Sequence, residues 1–139
     1  MKLFTKLTFL MYLGLGSALH ASQSIPYTVL LTDEKGNSYF KAAKEELNPT
    51  KIGFTSPELP VHHVFFGKSP GKEQNWHNPS KKLFIIVLSG VMQIETSRGE
   101  IKNFNPGEIL LAEDITGKGH KTRSPNNKPV NYLAIPLIK

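Results

Sequence analysis

Apolar residues come in short bursts along this chain, separated by turn-forming residues, and the bursts lack a sustained helical period. Residues 83–88, LFIIVL, are apolar at every position, which predicts a strand covered on both faces. Ser89-Gly90 turns the chain. Residues 91–96, VMQIET, then alternate apolar and polar, which predicts a half-buried strand. After the turn Ser97-Arg98-Gly99, residues 101–104 lead through Asn105-Pro106-Gly107 to another strand at 108–112. Residues 120–123 and 130–137 supply the last strands, with the loop SPNNKP between them. Earlier, residues 25–32, IPYTVLLT, predict a strand, and DEKGN at 33–37 predicts a turn from which 38–42 returns. Residues 61–66, VHHVFF, predict a strand followed by a loop at 67–71. KAAKEEL at 41–47 is the one good helix-forming stretch after residue 21, about two turns long. Strands at this spacing predict an all-β sandwich or barrel.

Composition agrees. Ten prolines and eleven glycines in 139 residues suit a chain of many turns. Apolar residues at 39% and charged residues at 20% are those of an ordinary folded domain. The length allows one domain and a short extra segment.

That extra segment is at the start. Lys2 and Lys6 precede the apolar stretch 7–15, and the small residues Gly16, Ser17, Ala18 and Ala21 follow. This is the order of a secretory signal, too short to span a bilayer comfortably. The reading divides the chain into a signal peptide at 1–21 and a folded domain at 22–139. It implies a periplasmic or secreted protein with no stable membrane insertion after cleavage. There is no cysteine, so neither a disulfide nor a lipid-modified cysteine is available.

The net charge of +6 comes from basic residues scattered among acidic ones. Lys118, Lys121 and Arg123 form the one local cluster. A basic stripe interleaved with aromatics is missing, so no nucleic-acid partner is expected.

The run from Trp76 to Arg123 carries the candidate chemistry. WHNPSKK opens it, LSG and PG turn it, and EDITGKGH closes it, with one histidine at each end, His77 and His120. This layout resembles the cupin family, and the best-matched part is 76–123. A narrower likeness, over residues 27–123, is to small cupin-like proteins of unassigned function. It rests on Thr32-Asp33-Glu34, Gly36, Ser38 and Phe40 together with residues 113–120. The resemblance implies a small antiparallel barrel of jelly-roll type whose mouth holds a metal or a small ligand. It also implies pairing of two copies through edge strands as a homodimer.

Carried over residue by residue, His77 takes the first histidine position of the first block. The second falls at Asn78 or Pro79, the carboxylate position falls at Leu83, and His120 fits the histidine of the second block. Two of four metal positions are filled. The expected ligand-binding residues are His77, Asn78, Asp114, Thr116 and His120, and the candidate metal ligands are His77 and His120. A divalent transition metal needs a third ligand, for which Asp114, His62 and His63 are the candidates; the reading favours no cofactor. Adjacent strand residues point to opposite faces, so at most one of His62 and His63 looks inward. Asp114 either binds backbone amides or orients His120. Trp76, Phe65 and Phe84 line the mouth or fill the core, and Leu83, Phe84 and Trp76 could pack the barrel shut. The expected function is small-molecule binding in the barrel mouth without metal. The alternatives are a metal-dependent oxygenase or isomerase, and a metal-free acid–base enzyme acting on a sugar or carboxylic acid.

Overall fold

The computed structural model describes residues 23–138, so the expected signal peptide at 1–21 lies outside the described residues. Two sheets hold most of the strands. The six-stranded sheet runs β2 (Ser38–Glu46), β1 (Ser24–Thr32), β10 (Ile109–Ala112), β7 (Leu83–Ser89), β12 (Val130–Pro136), β5 (Phe65–Ser69). The four-stranded sheet runs β6 (Gln74–His77), β11 (His120–Arg123), β8 (Met92–Thr96), β9 (Ile101–Phe104). A small hairpin, β3 (Asn48–Thr50) and β4 (Gly53–Thr55), stands apart from both. No helix occurs among the described residues.

The core shows how the two sheets meet. Leu30, Val87, Leu110 and Val130 come from the larger sheet, and Met92, Ile94 and Phe104 from the smaller. They form one buried cluster, so each sheet turns its alternate residues toward the other. The result is an all-β sandwich of jelly-roll character. Its pairing is antiparallel except between β1 and β10, which run parallel with Val29 opposite Leu111.

Residues 41–47 are not helical. Residues 41–46 belong to β2, which pairs with β1 in unbroken register from Thr32 opposite Ser38 to Ser24 opposite Glu46. Two helical turns cannot stand alone in water, whereas the ladder to β1 pairs the backbone groups of alternate residues along the whole strand. The turn between them closes as expected. The Asp33 amide donates to the Asn37 carbonyl (2.9 Å), and Gly36 adopts a φ of 77°.

The strand expected at 61–66 begins later, at Phe65, and takes in Gly67 to Ser69, which were expected to be loop. Val61 makes a single bridge to Leu137. His62 and His63 therefore precede the strand, and the alternation argument does not apply to them. Gly67 has its own role. A side-chain carbon there would overlap the ring of Tyr132, its partner across the ladder to β12, so glycine lets that ring lie over β5.

Candidate functional site

The site begins at the ladder between β6 and β11. His77 is the register partner of His120, and Gln74 is the partner of Thr122. The two partners lie two positions apart on β11 but three apart on β6, so β6 carries an irregularity of one residue. In a regular strand, positions three apart face opposite ways. The extra residue turns Gln74 and His77 to the same side. All four side chains consequently line one cavity of about 160 Å³ between the sheets.

The walls differ. The smaller sheet presents Gln74, His77, His120 and Thr122, with Met92 beside them. The larger sheet presents Phe65, Leu83, Ile85, Ala112 and Ala134, with Tyr132 and Ser69. One wall is polar and the other mostly apolar.

Both imidazoles are anchored at Nδ1. His77 Nδ1 lies 2.7 Å from the carbonyl oxygen of Asn75, and His120 Nδ1 lies 2.6 Å from Asp114 Oδ2. The ring centroids are 4.5 Å apart. Asp114 is completely buried and His120 is only 5% exposed, so this carboxylate–imidazole contact is shielded from solvent. Asp114 Oδ1 is buried and finds no hydrogen-bond partner among the described residues. Of the two roles expected for Asp114, orienting His120 is the one its side chain performs.

Asn78 and Thr116 sit behind the histidines and are not among the residues that line the cavity. Asn78 Nδ2 donates to the carbonyls of Asp114 (2.6 Å) and Thr116 (3.0 Å), which ties the chain after β6 to the loop before β11. The Thr32 hydroxyl donates to the same Thr116 carbonyl at 2.8 Å. The early motif thus reaches the late one. The Lys118 amide donates to the Gly36 carbonyl (2.8 Å), Lys118 Nζ to Asn37 Oδ1 (2.7 Å), and the Ser38 hydroxyl to the Gly119 carbonyl (2.6 Å). Ser38 is fully buried and exchanges hydrogen bonds with Ser97. The two segments singled out in the sequence form a clasp that holds β11 and its histidine.

Charge is arranged around this clasp. The guanidinium of Arg98, 2.6 Å from Asp33 Oδ2, holds that carboxyl well below the ordinary carboxylate range, helped by the Asn37 amide. On β11, Arg123 bridges Glu95 and Glu73 at 2.8 and 3.0 Å. Its pKa is raised by Glu95 first and then Glu73, and that of Glu73 is lowered by Arg123. Lys121 also reaches Glu73 and lies over the ring of Trp76. No acidic side chain lines the cavity.

The other aromatic residues divide. Phe65 lines the cavity, Phe84 packs edge-on against Tyr27 along a separate apolar groove, and Trp76 is 43% exposed. Leu83 is a wall of the cavity and does not close it. His62 contacts Lys81 across 3.0 Å at a different groove, and the His63 ring packs against Phe65.

This donor set does not complete a metal site. No cluster of three histidine or acidic side chains with metal-binding spacing occurs among the described residues. Leu83, at the position where a carboxylate was expected, offers no donor. Asp114 is engaged with His120 Nδ1, behind the ring.

A two-sheet jelly roll with one histidine from each of two neighbouring strands facing its interior is a cupin-like arrangement. The described domain has a cupin-like fold. No family model matches the chain, and no curated protein does. Among solved structures it is similar to a protein from Neisseria meningitidis at 20% identity, over 60% of this chain and 84% of that one, with a TM-score of 0.46. It is similar to a cupin domain from Bordetella pertussis at 19% identity, over 59% and 93%, with a TM-score of 0.42. A putative ethanolamine utilization protein Q from Salmonella typhimurium matches at 12% identity, over 83% and 97%, with a TM-score of 0.44. Likenesses at this level say nothing of activity, and the site rests on its own geometry.

Thr122, Gln74 and Tyr132 are cavity residues that sequence reasoning missed. Thr122 was within reach, because it lies two positions from His120 on a strand and must share its face. Gln74 was not, because its orientation depends on the irregularity in β6.

Proposed function

We propose that this protein binds a small organic molecule between its two sheets, without needing a metal. His77 and His120 hold the polar end of the ligand, and the larger sheet covers its apolar part. The observation that carries this reading is the histidine pair, register partners with rings 4.5 Å apart, lining a cavity of about 160 Å³. A concave, mainly apolar space with a few convergent polar groups is what ligand recognition requires. Residues 1–21 read as a cleaved export signal, which would put the site in the periplasm or outside the cell. An N-terminus at residue 19 or 22 in the purified mature protein, after Ala18 or Ala21, would support that.

The test is a fragment screen followed by NMR. Ligands should move the Met92 methyl and the imidazole protons of His77 and His120. They should lose their binding when Leu83→Trp fills the cavity. Ligands that bind the variant equally well would overturn the assignment.

A second reading is favoured by one contact. Asp114 Oδ2 at 2.6 Å from His120 Nδ1 orients the ring so that Nε2 is the nitrogen left for a ligand. A carboxylate-oriented imidazole is a recurrent general base. Turnover abolished in His120→Gln and reduced in Asp114→Asn would establish acid–base catalysis on the bound molecule.

A further inference from the structure

We infer that the cavity selects small single-ring phenols, flat apolar molecules whose hydroxyl donates a hydrogen bond to the histidine pair. This rests on the binding function proposed above and adds the chemical class of the ligand. The Asn75 carbonyl oxygen, 2.7 Å from His77 Nδ1, can only accept a hydrogen bond. The hydrogen of the neutral ring therefore sits on Nδ1, and Nε2 is a bare acceptor. Asp114 Oδ2 imposes the same tautomer on His120 at 2.6 Å. The polar wall thus offers two acceptor nitrogens on rings 4.5 Å apart.

Such a wall calls for a donor. A carboxylate ligand has no hydrogen to give and would face two lone pairs. The Asp114 carboxyl group is buried directly behind His120 and supplies no cation that would attract an anion. Among the described residues, no lysine or arginine lines the cavity to hold an anion, and its remaining polar groups, such as Gln74 and Thr122, are neutral. The opposite wall, with Phe65, Leu83 and Ile85, suits the face of a ring. A volume of about 160 Å³ is close to that of an engineered cavity, about 150 Å³, that accepts benzene.

The experiment is titration calorimetry of the purified protein at neutral pH with phenol, toluene and benzoate. Phenol should bind about tenfold more tightly than toluene, the value of one well-made hydrogen bond. Benzoate should bind more weakly than either. His77→Phe should narrow the gap between phenol and toluene, because one of the two acceptors is lost. Benzoate as the tightest probe, or toluene equal to phenol, would overturn the phenol assignment and leave small-molecule binding standing. Binding of none of the three would remove the assignment and count against the cavity as a ligand site. If His77→Phe does not fold, nitrogen-15 spectra of the unsubstituted protein decide. Unprotonated Nε2 signals on both rings, shifting with phenol, are the expected result, and protonated Nε2 signals in the free protein would refute it.

Discussion

Gly119 lies so close to His77 that a side-chain carbon on the glycine would overlap the His77 carbonyl. Gly119 also has a φ of 67°, a conformation that side-chain-bearing residues rarely adopt. Both constraints act one residue before His120, where β11 must approach β6 closely enough for the imidazoles to meet.

Gly119→Ala should therefore destabilise the fold by about 2–4 kcal/mol, combining backbone strain with a steric overlap that neither strand can relieve cheaply. Denaturant unfolding would measure the loss. The contact between the His77 and His120 rings should weaken in the same variant, seen as loss of nuclear Overhauser effects between them. A variant as stable as the parent would show that β6 is free to move away.

Asp114→Asn should keep a hydrogen-bonding group beside His120 while replacing the carboxyl group by an amide. Asn offers an acceptor of the same length, so stability should fall by about 1–3 kcal/mol. Asp114→Ala should cost more, because His120 Nδ1 would lose its partner in a site that solvent does not reach. Thermal unfolding of both variants checks the order. The opposite order would mean that the Asp114 carboxylate, with its unpartnered Oδ1, is a net burden on the fold.

Acid should loosen the clasp at Asp33. Its folded-state pKa is depressed by Arg98 first, then by the Asn37 amide. The stabilisation is present above the ordinary carboxylate pKa of the unfolded chain, about 3.9, and is lost as pH falls through the lower folded value. Asp33→Asn should flatten the acid limb of a plot of melting temperature against pH. An unchanged acid limb would mean that Asp33 is not responsible.

Metal content should depend on Leu83. The parent protein, purified and dialysed, should hold well under one transition-metal ion per chain. Leu83→Glu places a carboxylate in the cavity that His77 and His120 share, and should raise the zinc or iron content after reconstitution. Elemental analysis gives both numbers. A stoichiometric metal in the parent would show that a donor beyond these side chains completes the set.

Much of the fold was legible in the sequence. The alternation in 91–96 corresponds to β8, whose Met92 and Ile94 are buried, and the apolar run of 83–88 to β7, which is not covered on both faces as expected because Leu88 stands exposed. KAAKEEL misled because helix propensity is local, whereas the partner that decided its structure is β1, joined through the Asp33–Asn37 turn. His77 and His120 stood out as a pair, but what surrounds them did not. The irregularity that turns Gln74 inward leaves no mark on composition or period. The hydrogen bonds from Asn78 to the Asp114 carbonyl and from Thr32 to the Thr116 carbonyl join residues 36 and 84 positions apart.

The clasp between Ser38 and Gly119 joins residues 81 positions apart. A chain must close a long loop before gaining anything from such a contact, and non-local contacts of this kind slow folding. The β1–β2 hairpin can form early, from neighbours in sequence. The histidine pair cannot, because it needs β6 and β11 brought together across more than forty intervening residues, with the hairpin turn already in place to receive β11. The cavity is thus a late product of folding. A ligand that fills it would bind only completed molecules and, by mass action, would draw the last step of assembly to its end.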